Sequence, residues 1–150
     1  KAAKQVVTYC IRNDIGTLIV GYNTTFQRSS DLGRRMNQVF VGIPFGILLR
    51  KLKYLCEMNG IRYVEQEESY TSMASFWDLD EMPVYGEAGL VPPVFSGRRI
   101  CRGLYQDRSG RRINADVNGA LNIMRKCNIV SLRALYDRGD VDTPVRIRIA

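Results

Sequence analysis

Two groups of carboxylates carry the chemistry open to this chain. Asp116 stands in Arg111-Arg112-Ile113-Asn114-Ala115-Asp116-Val117-Asn118-Gly119-Ala120-Leu121-Asn122-Ile123-Met124-Arg125-Lys126, and the cluster Glu65-Gln66-Glu67-Glu68 lies well before it. Carboxylate oxygens bind hard cations or carry protons. The 150 residues include no histidine, and Cys10, Cys56, Cys101 and Cys127 form no Cys-x-x-Cys pair. A zinc site of ordinary spacing therefore cannot be assembled, and any metal must be held by oxygens. Ser-His-Asp and Cys-His nucleophilic catalysis fall on the same ground. Each acid also has a plain structural reading: Asp116 as a first-turn residue that satisfies free helix N–H groups, and the glutamates as a solvated turn.

The element that positions Asp116 is a helix. Val117, Ala120, Leu121 and Met124 recur at i, i+3, i+4 and i+7 as an apolar stripe, while Asn118, Asn122 and Arg125 form a polar one. Ala120, four residues after Asp116, belongs to the apolar stripe, so Asp116 is expected to point into the domain. The glutamates are placed by a strand, Ile61-Arg62-Tyr63-Val64, preceded by a helix with Phe45, Leu48, Leu49, Leu52, Leu55 and Cys56 on one side. Arg50, Lys51, Lys53 and Glu57 face away; Pro44 suits the first turn of that helix and Gly60 its end. An earlier helix over Lys1 to Asn13, with Ala3, Val6, Val7, Cys10 and Ile11 on one face, leads to the strand Thr17-Leu18-Ile19-Val20. The order helix, strand, helix, strand implies a parallel pair with a right-handed crossover, hence an α/β class. In open α/β sheets chemistry gathers beyond the carboxyl ends of strands, where Glu67 and Glu68 fall.

Charge points to a polyanion. Twenty-two Lys and Arg against fifteen Asp and Glu leave +7, which suits DNA, RNA or another anionic partner. Residues 21–37 read as a basic loop with Arg28, Arg34 and Arg35, either a connector or a phosphate contact. From Met73 to Arg112 the periodicity vanishes among prolines and glycines, while Phe76, Trp77, Tyr85, Phe95 and Tyr105 give it aromatic content. This reads as a compact insertion with little regular structure. Its Arg98, Arg99, Arg102, Arg108, Arg111 and Arg112, interleaved with Tyr105, are candidates for phosphate contact and base stacking; a solvated cationic loop is the alternative. Val130 to Tyr136 adds a turn of helix, and Val145 to Ile149 alternates like an edge strand or a tail. No apolar run of membrane-spanning length and no signal-peptide pattern occurs, and Cys10 and Cys56 read as small hydrophobes, so a reducing, cytoplasmic setting is expected. A start directly on helix-like sequence suggests a fragment.

Tyr70-Thr71-Ser72, followed across the insertion by the run from Asn114 to Ile123, resembles the end of the TnpB (OrfB) proteins of small insertion sequences, which are transposon-encoded relatives of the type V CRISPR effectors. Asn37-Gln38, Phe40, Ile43-Pro44-Phe45 and Leu52-Lys53-Tyr54 agree with one branch of that family. The resemblance implies a partial RNase H-like (RuvC) fold, with parallel strands, flanking helices and an irregular insertion. Residues 1–72 and 113–136 would form the second half of the RuvC-like domain, 73–112 a degenerate zinc ribbon, and 137–150 a tail.

It also implies an activity. In the family three carboxylates hold two Mg²⁺ (or Mn²⁺) ions that activate a water and stabilise the leaving oxygen of a phosphodiester. Asp116 matches the third carboxylate. The second is a Glu ending the strand at Thr17 to Val20, where this chain has Gly21-Tyr22-Asn23. Some relatives, including the eukaryotic Fanzors, carry that acid just before Tyr-Thr-Ser, so the resemblance assigns it to Glu68, with Glu67 and Glu65 as alternatives. The first Asp falls upstream of Lys1. Ser75 and Asp78 stand where the family has its first two zinc thiolates, and Cys101 is alone near the second pair, so no zinc is expected and aromatic packing replaces it. Two functions follow: the carboxyl-terminal part of a nucleoid-associated, RNA-guided DNA endonuclease, inert as this piece, with DNA and guide RNA as partners; or a non-catalytic nucleic-acid-binding relic of a transposase.

Overall fold

A computed structural model describes residues 1–22, 45–84, 93–139, 141 and 144. It is a mixed α/β structure with a short parallel two-stranded sheet and a small antiparallel one. The chain divides into two compact units, Lys1–Glu65 and Gln66–Ile147.

Among the described residues the first unit is a helix and a strand, twice, with the last two residues of the second strand, Gln66 and Glu67, belonging to the second unit. Helix α1 (Ala2–Arg12) leads to β1 (Thr17–Tyr22), and α2 (Phe45–Met58) to β2 (Arg62–Glu67). Both helices stop in the same way. Asn13 and Asn59 donate their side-chain amides to the carbonyls of Tyr9 and Leu55, at 2.8 and 2.7 Å. Asp14 (φ 52°) and Gly60 (φ 69°) then turn left-handed. The N–H groups of Ile15 and Ile61 reach back to the carbonyls of Cys10 and Cys56, each at 2.9 Å. This is the Schellman arrangement, which satisfies orphan carbonyls and folds an apolar residue back onto the helix. Arg62 N–H donates to the Gly16 carbonyl at 2.9 Å, joining the beginnings of the two strands, as parallel pairing requires.

Ala3, Val7 and Cys10 of α1 meet Leu52 and Cys56 of α2 and Ile61 in one core, with Ile15, Leu18, Val20, Leu48, Leu55 and Tyr63 around it. The apolar stripes are narrower than the sequence suggests. Val6, Ile11 and Phe45 are exposed, because among the described residues each helix packs on one other helix and buries one narrow seam.

The second unit contains the antiparallel sheet β3 (Arg98–Cys101), β4 (Leu104–Gln106), β5 (Arg112–Asn114), then α3 (Ala115–Cys127) and α4 (Arg133–Arg138). The insertion thus carries a regular sheet, against the expectation of little regular structure. Strands this short display no alternation to read, and a register shift between Arg99 and Cys101 breaks the period further. Gly103 (φ 79°) takes the tight turn between β3 and β4. Gly97 is required for a different reason: a Cβ there would lie 2.6 Å from the Tyr105 ring and from the Gln106 carbonyl oxygen. Phe76, Tyr105, Ile113, Ala115 and Leu121 form this unit's core, bordered by Trp77, Val117, Leu132, Leu135 and Tyr136. The helix of Asp116 belongs to this unit, with the insertion. The basic loop with Arg28, Arg34 and Arg35, Asn37 to Pro44, Tyr85 and the run Val145 to Ile149 lie outside the described residues.

Candidate functional site

Strand β5 passes into α3 without a loop, so the junction itself places Asp116. Asn114, the last strand residue, caps the helix: its Oδ1 accepts from the N–H groups of Asp116 at 2.9 Å and Val117 at 3.2 Å. The Asp116 carboxylate is not turned inward. Its side chain is 87% exposed and, among the described residues, meets only the Arg99 guanidinium, at 3.8 Å. The inward expectation fails because Ala120, its neighbour one turn on, is itself exposed.

The face of α3 that is buried is the asparagine face. Ala115, Asn118, Leu121 and Asn122 are buried, with Asn118 and Asn122 fully so. Asn118 donates to the Ala74 carbonyl at 2.8 Å and accepts from Phe76 N–H at 3.1 Å. Asn122 donates to the carbonyls of Thr71 at 3.0 Å and Ala74 at 2.7 Å. Arg125 reaches the Asp80 carbonyl from the same face. The polar stripe of the helix is a template that holds residues 71–80 against it. Asn-x-x-x-Asn, followed three residues on by Arg, was the available signal, because side-chain amides can satisfy the free backbone groups of a buried loop.

The three glutamates have different fates. Glu65 accepts from the Tyr63 hydroxyl at 3.1 Å, and burial together with that carboxylate raises the Tyr63 pKa. Glu67 is bound by Lys126 and by the Ser69 N–H. Burial pushes its carboxyl up, but Lys126 and Ser69 outweigh burial and hold it below the ordinary value. Glu68 has no hydrogen bond or ion pair to its side chain among the described residues, and burial, then the charge of Glu67, raise its pKa. Lys126 holds Glu67 from the last turn of α3 while Asp116 sits in the first, so about 15 Å of helix separates the two backbones. Among the described residues no hydrogen bond or ion pair joins Glu68 to Asp116. No group of three His, Cys, Asp or Glu side chains converges on a cation position among the described residues.

Ser75 and Asp78, which stand where the resemblance expects zinc thiolates, are held by hydrogen bonds. Ser75 is fully buried, and its Oγ accepts from Asp78 N–H at 3.3 Å. Asp78 Oδ2 accepts from Arg108 N–H at 3.0 Å. Asp80 Oδ2 accepts from the N–H groups of Ser75 at 2.8 Å and Ser96 at 2.9 Å. Burial raises the Asp80 carboxyl, while the Ser96 and Ser75 bonds and the Arg125 charge bring it below its usual value. The aromatic packing is present too: Phe76 lies edge-on to Trp77 at 5.1 Å and stacks on Tyr136 at 4.8 Å. All four cysteines are free, with Cys101 exposed.

Tyr105 is not a stacking platform. It is 1% exposed and donates its hydroxyl to the Met73 carbonyl at 2.7 Å. Burial, with the charges of Asp80, Asp78 and Asp107, pushes its pKa up to about 12, so it remains a donor. The six arginines from Arg98 to Arg112 are exposed but divide by partner. Arg111 lies 4.6 Å from the Trp77 ring centre and bonds the Gly139 carbonyl at 3.2 Å, Arg108 bonds Ser96 Oγ at 2.8 Å, and Arg99 pairs with Asp116. Arg98, Arg102 and Arg112 have no partner among the described residues. Arg98 stands opposite Gln106, which stands opposite Arg112, so one row across the sheet carries two free guanidinium groups about 10 Å apart at the backbone.

A small sheet that presents unpaired arginines ahead of an acid-bearing helix fits a nucleic-acid-binding relative of the TnpB and Cas12-type nucleases. The family model described as Cas12f1-like, TNB domain, matches residues 45–123, more than half of the chain, and the chain belongs to that family. No curated protein matches it. No helix among the described residues is long and apolar enough to cross a membrane.

Proposed function

We propose that this chain is the carboxyl-terminal part of a transposon-associated, RNA-guided DNA endonuclease, with a partial RNase H-like (RuvC) fold and an insertion that has replaced zinc by hydrogen bonds. The observation that carries the reading is the family match, which spans the interval from Glu68 to Asp116. The donor set suits Mg²⁺ or Mn²⁺, which prefer carboxylate oxygen. Asp116 and Glu68 would hold the ions, with a further carboxylate from upstream of Lys1. Glu68 is preferred over Glu65 and Glu67 because those two are engaged by Tyr63 and by Lys126. When bound, paired ions supply an activated water and stabilise the leaving oxygen of a phosphodiester. Asn114 fixes the first turn that presents Asp116, and Arg98, Arg102 and Arg112 take backbone phosphates of DNA or guide RNA.

One observation favours the second reading, a non-catalytic nucleic-acid-binding relic: no group of three acidic or other metal-ligating side chains converges among the described residues. A cleavage assay with Mg²⁺ or Mn²⁺ separates the two. It compares this chain with one extended upstream and loaded with guide RNA, each as Asp116 and as Asp116→Ala. The endonuclease reading expects cutting by the extended chain alone, abolished by Asp116→Ala. An inert extended chain that still binds DNA establishes the relic.

A further inference from the structure

The insertion is not the only unpaired basic surface. Helix α2 buries Leu49, Leu52 and Cys56 and turns its opposite side to solvent. Along that side run Ile47, Arg50, Tyr54 and Met58, which share one ridge at helical spacing. Ile47 is 45% exposed, Tyr54 60% and Met58 65%. Lys51 flanks the ridge on one side, and on the other Lys53 lies beyond Glu57, all three exposed. Arg50, Lys51 and Lys53 have no hydrogen bond or ion pair among the described residues, although Glu57 stands one turn beyond Lys53. The Arg50 guanidinium lies back over Gly46, 4.0 Å from where a Cβ would sit. Nothing in the core explains these residues. An exposed aromatic ring between cations, with apolar neighbours, is the composition of a surface that stacks bases and tracks phosphates.

We infer that the outer face of α2 is a second contact surface for single-stranded nucleic acid, with Tyr54 and Arg50 against base faces and Lys51 and Lys53 on the phosphates either side. The inference rests on the nucleic-acid-binding reading above but uses none of the insertion's residues. An acidic protein would satisfy the lysines, yet would leave the exposed ring of Tyr54 without a reason.

The test uses the chain with a labelled oligo-deoxythymidine of about 16 nucleotides, titrated over a range of salt. Lys51→Gln with Lys53→Gln should lower affinity and flatten the logarithmic salt dependence by about 1.4, since each phosphate contact on a single strand contributes about 0.7. Tyr54→Ala should weaken binding about fivefold or more with the salt slope unchanged, and Tyr54→Phe should restore it. All four side chains are exposed, so circular dichroism melts should match the parent. If the lysine variant keeps the parent's affinity and slope while Arg98→Gln with Arg112→Gln loses both, the α2 surface is refuted and the insertion reading stands. If the reverse holds, α2 stands and the insertion reading falls. No binding by the parent removes both. Equal competition by polyglutamate with no effect of Tyr54→Ala assigns the face to an acidic protein and overturns the inference.

Discussion

Lys126, in the last turn of α3, is ion-paired with Glu67 at the end of β2, and the pair fixes which glutamate beside the Tyr70-Thr71-Ser72 turn stays available. The Lys126 side chain is 12% exposed and also bonds the carbonyls of Ser69 at 3.2 Å and Pro83 at 3.4 Å. Lys126→Met keeps the stem but leaves Glu67 Oε2 and two carbonyls without the Lys126 donor, the Ser69 N–H still holding Oε1. The expected loss is about 2 kcal/mol, the scale of a hydrogen bond to a charged group. Urea unfolding at neutral pH measures it; a change below a few tenths would mean that the pair is solvated.

Glu67 and Glu68 should depend on pH in opposite senses. The folded pKa of Glu67 is depressed, so its stabilisation is present above the unfolded value and fades as pH falls through the folded one. The folded pKa of Glu68 is raised, so its contribution is favourable below the unfolded value and is lost as pH rises through the folded one. Glu68→Gln should therefore raise the melting temperature at pH 7 by an effect worth less than about 1 kcal/mol, and the gain should vanish near pH 4. Added Mn²⁺ should stabilise the parent and not the variant. Equal response of both to Mn²⁺ would remove Glu68 from the proposed site.

These residues also mark how far the sequence could be read. The paired helices and parallel strands were legible because Ala3, Val7 and Cys10, then Leu49, Leu52 and Cys56, keep helical period, and Asn13 and Asn59 close their helices with the same chemistry. The antiparallel sheet was not, because β4 and β5 have three residues each and display no alternation. Asp116 was found at the right end of the right helix but given the wrong direction. The sequence marks Asn118, Asn122 and Arg125 as a polar stripe without saying what it meets, and the free backbone groups of residues 71–76 are what bury Asn118 and Asn122. Tyr105 failed for the same reason: an aromatic among arginines looks like a stacking surface until its hydroxyl finds the Met73 carbonyl.

The two asparagines are not equivalent. Asn118 uses both ends of its amide, on Ala74 and Phe76. Asn122 donates twice, but its Oδ1 is buried without a partner, and one of its acceptors, the Ala74 carbonyl, is also held by Asn118. Asn118→Ala strands the Phe76 N–H and should cost about 2–3 kcal/mol. Asn122→Ala strands only the Thr71 carbonyl, removes an unsatisfied acceptor, and should cost about 1 kcal/mol. Chemical denaturation of both variants checks the order, and a larger loss for Asn122→Ala would show that its Oδ1 is satisfied in solution.

The insertion should fold without zinc, and Asp80 should carry the stability that zinc supplies in a ribbon. Its Oδ2 ties Ser75 N–H to Ser96 N–H, and its backbone carbonyl takes Arg125 from α3, so one residue links the first turn of the insertion, its later part and the helix. No thiolate or imidazole is placed to compete: Ser75 and Asp78 stand where the resemblance expects the first two thiolates, and Cys101 is free and exposed. Melting with and without a chelator such as EDTA should therefore coincide, and elemental analysis should give well under one zinc per chain. Asp80→Ala leaves two backbone donors without their charged acceptor and should cost about 2 kcal/mol, reduced by the solvent that reaches this half-buried carboxylate. Because its folded pKa is depressed, the difference between parent and variant should be full at neutral pH and shrink as pH falls below the ordinary carboxylate range, near 4. A chelator that lowers the melting temperature, or an Asp80→Ala variant as stable as the parent at pH 7, would mean that something other than these hydrogen bonds holds the insertion together.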